Sequence, residues 1–160
     1  MAIYKVLSFD QSTQKTGWGL FEGGTLVEYG LIDLHKEKDS KQRWSMMVSN
    51  ISQLILEKKP RVVVVEDTVL QRSPTTLKML AQLQGAIIGC AQSLSLSCEV
   101  IYPTAWRKVL GIKQGKCKRE ELKAKAMAYV KDRCRLGVTE DEADAICIGF
   151  AYCKMKSIGE

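Results

Sequence analysis

Only one histidine, His35, and three prolines occur among the 160 residues, and none of the six cysteines forms a C-x-x-C pair. With a single histidine and no paired cysteines, a zinc site of the usual Cys/His kind is not expected. The cysteines (Cys90, Cys98, Cys117, Cys134, Cys147 and Cys153) lie in apolar or helical stretches and read as reduced thiols of a reducing compartment, not as a disulfide framework. No apolar run is long enough to span a bilayer. The first residues, MAIYKVLSFD, read as a strand and not as a signal peptide, so a cytoplasmic location is expected, with no membrane partner. Repeats, low-complexity tracts and linkers are also missing. With 46% hydrophobic and 26% charged residues the composition is that of a folded chain. Residues 1–160 are therefore read as a single domain, one site in one fold.

Charge is abundant but unevenly placed. Residues 104–136 hold eleven Lys or Arg against three acids, a net +8, so with +6 for the whole chain the remainder carries −2. A basic face beside a mildly acidic body is the footprint of a protein that binds a phosphate backbone.

Apolar patterning and turn residues divide the chain into elements. Residues 3–9 form an apolar, β-rich run that ends at Asp10, and the polar loop DQSTQKTG follows. Residues 17–21 read as a second strand, Gly23-Gly24 as a hairpin turn and 25–34 as a third strand. Trp44, Met47, Val48, Ile51, Leu54 and Ile55 recur at helical spacing over 40–57, and Pro60 ends that helix. Residues 61–65, one arginine and four valines, predict a buried strand ending at Glu66. Ser73-Pro74 opens a helix to about residue 94, 99–102 is a short strand, and Pro103 starts a helical turn to 110. The loop 111–116, GIKQGK, precedes helices over 116–133 and 139–155. This order predicts an α/β fold: a mixed five-stranded sheet, three antiparallel strands then parallel additions, flanked by helices on both faces.

Four acids stand out by position. Asp10 and Glu66 each end an apolar run, and on neighbouring strands they would converge at one sheet edge. Asp141 and Asp144 are three residues apart on one face near the start of the last helix. Asp67, Glu140 and Glu142 compete on spacing alone, although strand alternation turns Asp67 away from Glu66, and helical geometry turns Glu142 away from Asp141 and Asp144. Carboxylates packed together repel and raise one another's pKa, so such a cluster is tolerable with cations bound. Oxygen-only donors favour Mg²⁺, with Mn²⁺ able to substitute, and two such ions suit in-line displacement at a phosphodiester.

With these residues in view, the chain resembles the RuvC family of Holliday junction resolvases, nucleases of the RNase H-like superfamily, over nearly its whole length. The matching pieces are LSFDQSTQKTGWGL, VVVVEDTVLQRSPTTLKMLAQLQGAIIG, YPTAWRKVLGIKQGKCKRE and DEADAICIGFAYC, in family order and spacing. The resemblance implies that Asp10, Glu66, Asp141 and Asp144 are the metal-binding catalytic acids. It places Arg107 and Lys118 near junction phosphates, with Lys108, Lys116 and Arg119 as helpers. It makes the helix after Pro74, with Leu77, Leu80, Leu83 and Ile87 on one side, a dimerisation helix. The implied activity is that of a Mg²⁺-dependent endonuclease, a homodimer that cuts four-way junctions by symmetric nicks; recognition by charge and branch geometry extends the expected substrates to three-way junctions, forks and flaps.

Two departures mark a divergent member, of the kind phages encode. Asp10-Gln11-Ser12 stands where bacterial members have an Asp-Pro-Gly start, and no aromatic residue lies between Glu66 and Leu77. Val69 and Leu70 there can wedge between bases but cannot read them, so recognition of branch shape with weak sequence preference is expected. FDQSTQKTG also resembles the first phosphate motif of sugar kinases and actin-like ATPases, which need two such domains. A ribosomal-RNA-processing nuclease and a branched-DNA-binding module that does not cut are the alternative readings.

Overall fold

A computed structural model describes residues 3–68 and 73–160. Val69 and Leu70, expected to reach the junction centre, lie outside the described residues. Strands β1 (Lys5–Asp10), β2 (Lys15–Glu22), β3 (Thr25–Asp33), β4 (Val62–Glu66) and β5 (Ser97–Ile101) form one sheet in the order β3-β2-β1-β4-β5. The first three pair antiparallel, and β4 is parallel to both β1 and β5. Helices α1 (Ser40–Lys58), α2 (Pro74–Ser93), α3 (Pro103–Val109), α4 (Arg119–Cys134) and α5 (Glu140–Met155) complete the chain. None of the described helices is long and apolar enough to cross a membrane.

The valines of β4 show how the layers are built, because side chains alternate across a strand. Val63 and Val65 join Leu7 and Phe9 against Met47, Ile51 and Ile55 of α1 and Leu83 and Ile87 of α2. Val62 and Val64 join Val6 and Phe21 against Trp106 of α3, Val130 of α4 and Ile146 of α5. The sheet is covered on both faces, which is why the run is continuously apolar.

Boundaries differ from the sequence reading at several places, β1 starting at Lys5 and not at residue 3. β2 starts at Lys15, not 17, because the buried Thr16 hydroxyl donates to the Ser12 carbonyl at 2.9 Å and accepts from the Ser12 N–H at 3.2 Å, closing the turn early. β5 runs over Ser97–Ile101, not 99–102, because Ser97 and Cys98 pair with Val62 and Val63 while Tyr102 caps α3. α4 starts at Arg119, not 116, since Gly115 takes a left-handed φ of 43° and Lys118 is the extended cap. A further correction concerns α2. Leu83 and Ile87, expected on a dimer face, are 0% and 2% exposed within the chain's own core.

Two contacts bring the start of α5 to the sheet edge. The buried Ser8 hydroxyl of β1 donates to the Ala145 carbonyl at 2.7 Å. Gly17 of β2 lies so near the helix that a Cβ there would stand 2.0 Å from the Asp141 carbonyl oxygen. A capping box, Thr139 with Glu142, fixes where α5 begins.

Candidate active site at the strand ends

Since β1 and β4 are parallel neighbours with Phe9 opposite Val65, Asp10 and Glu66 emerge side by side at their carboxyl ends. α5, held by Ser8 and Gly17, adds Asp141 and Asp144. The four acids line one cleft of about 520 Å³, together with Arg107, Arg119 and Lys123. The competing acids do not line this cleft. The Asp67 carboxylate accepts from the Gln84 amide at 3.4 Å, Glu142 caps its own helix, and Glu140 is exposed at 3.9 Å from Lys123.

Burial and mutual repulsion govern the electrostatics. The Asp10 carboxyl is pushed well above the usual carboxylate range, first by burial and then by Glu66, Asp144 and Asp141, with Lys123 opposing. Burial also raises Glu66, against a hydrogen bond from Trp106 that favours its ionised form. Asp144 and Asp141 are raised by burial, and the nearby Lys123 ammonium pulls both down in part. Burial disfavours the Lys123 charge, yet the fields of Asp144, Asp10 and Asp141 prevail and hold it protonated. Its Nζ lies 3.4 Å from Asp144 Oδ2.

Four carboxylates with no nitrogen or sulfur donor suit a hard divalent cation, whose charge would relieve the repulsion that raises them. Among the described residues no three acidic, histidine or cysteine side chains close around a single point as they stand. Lys123 supplies one internal positive charge in the same cleft.

Of the basic residues named from sequence, Arg107 and Arg119 line the cleft; Lys108, Lys116 and Lys118 are exposed and do not. Lys125 is tied to the loop before α4, donating to the Lys113 carbonyl at 2.7 Å. The sequence reading missed Lys123, Trp106 and Gln11. Lys123 was one of eleven cations in its segment, and its spacing of four from Arg119 was the one signal available. Trp106 donates to Glu66 and Gln11 pairs with the Glu66 backbone, contacts for which no local pattern exists.

The family profile described as crossover junction endodeoxyribonuclease RuvC matches residues 6–152. The chain belongs to the RuvC family. It is 27% identical over 159 residues to the crossover junction endodeoxyribonuclease RuvC of Citrifermentans bemidjiense, covering 96% of this chain and 93% of that protein. Among solved structures, T. thermophilus RuvC in complex with Holliday junction substrate matches with a TM-score of 0.76 at 15% identity, over 98% of this chain and 96% of that one. The yeast mitochondrial Holliday junction resolvase Ydc2 matches with a TM-score of 0.65 at 12% identity, over 96% and 79%. This RuvC-family chain thus has the RNase H-like fold, with the mixed five-stranded sheet and two-sided helical cover read from sequence.

Proposed function

We propose that this chain is a metal-dependent crossover junction endodeoxyribonuclease that resolves Holliday junctions and other branched DNA by paired nicks in the cytoplasm. The observation that carries this reading is the convergence of Asp10, Glu66, Asp141 and Asp144 in one cleft edged by Arg107 and Arg119. The four acids would hold two Mg²⁺ ions, or Mn²⁺ in their place. When bound, such ions supply the Lewis acidity for in-line displacement at phosphorus. Arg107 and Arg119 hold the phosphate at the cleft, and Lys108, Lys116 and Lys118 extend the positive surface along the flanking duplex. Lys123 keeps Asp144 oriented by its ion pair. The test is purified protein with Mg²⁺ on labelled four-way junctions of several core sequences, with structured RNA in parallel. Symmetric paired nicks in DNA are expected; cutting confined to RNA, or binding without cutting, would replace this reading with one of the alternatives.

Phosphate contacts carry a salt signature. Lys118→Ala and Arg119→Ala should each weaken junction binding for every core sequence and lower the slope of log affinity against log salt by about 0.9. Equal slopes in wild type and both variants would move the DNA path off α4.

Two nicks need two sites, so the active species is a two-fold dimer. With Leu83 and Ile87 inside, the outward face of α2 offers Ala81, Gly85 and Gly89, four residues apart and exposed. A Cβ at Gly85 or Gly89 would meet nothing within 4 Å, so a second helix can approach closely there. Beside this stripe an apolar recess of about 640 Å³ is lined by Trp44, Met79 and Ala86. Gly85→Arg should leave the monomer as stable or up to ~1 kcal/mol more so, by helix propensity, yet sediment as a monomer that binds junctions without resolving them. A Gly85→Arg protein that remains dimeric would exclude this face.

A further inference from the structure

Glu66 is held at three atoms. Its Oε2 accepts from the Trp106 indole Nε1–H at 2.8 Å. Its carbonyl accepts from the Gln11 side-chain amide at 2.7 Å, and its own N–H donates to Gln11 Oε1 at 3.3 Å. Trp106 is 0% exposed and packed among Val64, Ile101 and Ala126, so its ring cannot follow a moving carboxylate. A buried indole N–H needs an acceptor, and here that acceptor is Glu66. Gln11, 9% exposed, continues the β1–β4 ladder by one rung beyond Phe9 and Val65, with a side chain in place of a main chain. Both residues depart from simple strand or core roles, and both converge on one acid.

We infer that Trp106 and Gln11 are positioning residues that present Glu66 to a cation through one oxygen, selecting Mg²⁺ and Mn²⁺ over Ca²⁺. Rotating the carboxylate so that both oxygens face one ion would break the indole bond, while Oε1 is left for the cleft. Ca²⁺ takes carboxylates through one oxygen or through both within a loose shell of 6 to 8 ligands, whereas Mg²⁺ demands a tight octahedron, so fixing one oxygen removes a binding mode that Ca²⁺ can use. A carboxylate fixed at one oxygen therefore matches the smaller ion. The inference rests on Glu66 being a cation ligand in the proposed nuclease site.

The experiment is calorimetric titration of the 160-residue chain with Mg²⁺ and, separately, Ca²⁺, alongside thermal unfolding without cation. The variants are Trp106→Phe, Gln11→Met and, as control, Glu66→Gln. Removing a partner of a metal-binding side chain typically costs 10–100-fold in affinity. Trp106→Phe should therefore weaken Mg²⁺ binding about tenfold and leave Ca²⁺ equal or tighter, lowering the preference for Mg²⁺ over Ca²⁺ about tenfold. Gln11→Met, which keeps the side chain's length at a buried position but removes both bonds to the Glu66 backbone, should shift the preference the same way. An unchanged preference in both variants overturns the inference, including the case where both ions weaken in step with the unfolding midpoint. If Glu66→Gln binds cations as wild type does, the site reading itself fails. If Glu66→Gln loses binding while the other two keep the wild-type preference, only the inference fails.

Discussion

Asp10→Asn is expected to lower the rate of junction nicking by ~10³-fold or more, roughly 4 kcal/mol of transition-state stabilisation, while junction affinity is kept or slightly raised. The amide fills the same space but removes one charge from a cleft shared with Glu66, Asp141 and Asp144. The basic residues of α3 and α4 are untouched. Single-turnover cleavage beside a gel-shift titration measures both quantities. A variant that cuts at near the wild-type rate in Mg²⁺ would remove Asp10 from the site.

The same substitution should change how stability depends on pH. Asp10 titrates well above its ordinary range when folded, chiefly because it is buried, and Glu66, Asp141 and Asp144 are raised as well. Between the ordinary carboxylate pKa and the raised one, the folded chain holds protons that the unfolded chain has released. Stability then falls as pH rises through that window, and the penalty is absent below it. In a chelator, the wild type should become more stable on acidification from neutrality toward the usual carboxylate range. Asp10→Asn should flatten that slope and raise the unfolding midpoint at pH 7. Mg²⁺ should stabilise the wild type at neutral pH, because it binds the folded state. Unfolding curves of chelated wild type that are flat or opposite in slope would contradict this account of the cluster.

Gly17→Ala should damage fold and chemistry together. A methyl group there would stand 2.0 Å from the Asp141 carbonyl oxygen and 2.8 Å from the Glu142 nitrogen, both backbone atoms that a side-chain rotation cannot relieve. The first turn of α5 must shift, carrying Asp141 and Asp144 with it. Overpacking of this kind costs about 1–3 kcal/mol, and a misplacement of about 1 Å in a reacting constellation costs about 10²-fold in rate. Urea denaturation and nicking rates on one preparation give both numbers. Gly137→Ala, with open space around it, is the control for glycine replacement itself. Wild-type stability and rate in Gly17→Ala would mean that α5 does not pack against β2 at that point.

Much of this architecture is legible where a local cause marks it. Pro60, Pro74 and Pro103 border elements, Gly23-Gly24 turns a hairpin, and Asp10 and Glu66 show as charges closing apolar runs. What escapes the sequence depends on partners far along the chain. The early start of β2 follows from the Thr16 hydroxyl meeting Ser12, and nothing in the composition of DQSTQKTG marks that closure. The apolar stripe of α2 reads equally as a core face or a dimer face, and only packing against β4 and α1 assigns Leu83 and Ile87 to the core. Lys123 looks like any cation of a basic helix until α5 places Asp144 beside it. The bonds from Trp106 and Gln11 to Glu66 span 40 and 55 residues, beyond any periodicity.

Four identical side chains in a row leave β4 with little to tell one register from the next. A slip of one residue would still bury two valines on each face, and the packing would hardly resist it, yet it would swing Glu66 to the opposite side of the sheet. The alignment therefore depends on the ends of the strand. At one end the Arg61 N–H donates to the Lys5 carbonyl at 2.9 Å; at the other the Asp67 N–H donates to the Ile101 carbonyl at 2.8 Å and Gln11 grips Glu66. The clasp at the second end is also the wall of the cleft. Chains that pair β4 out of step fail to form that clasp, so an error in strand pairing and an incomplete acid cluster are one and the same defect.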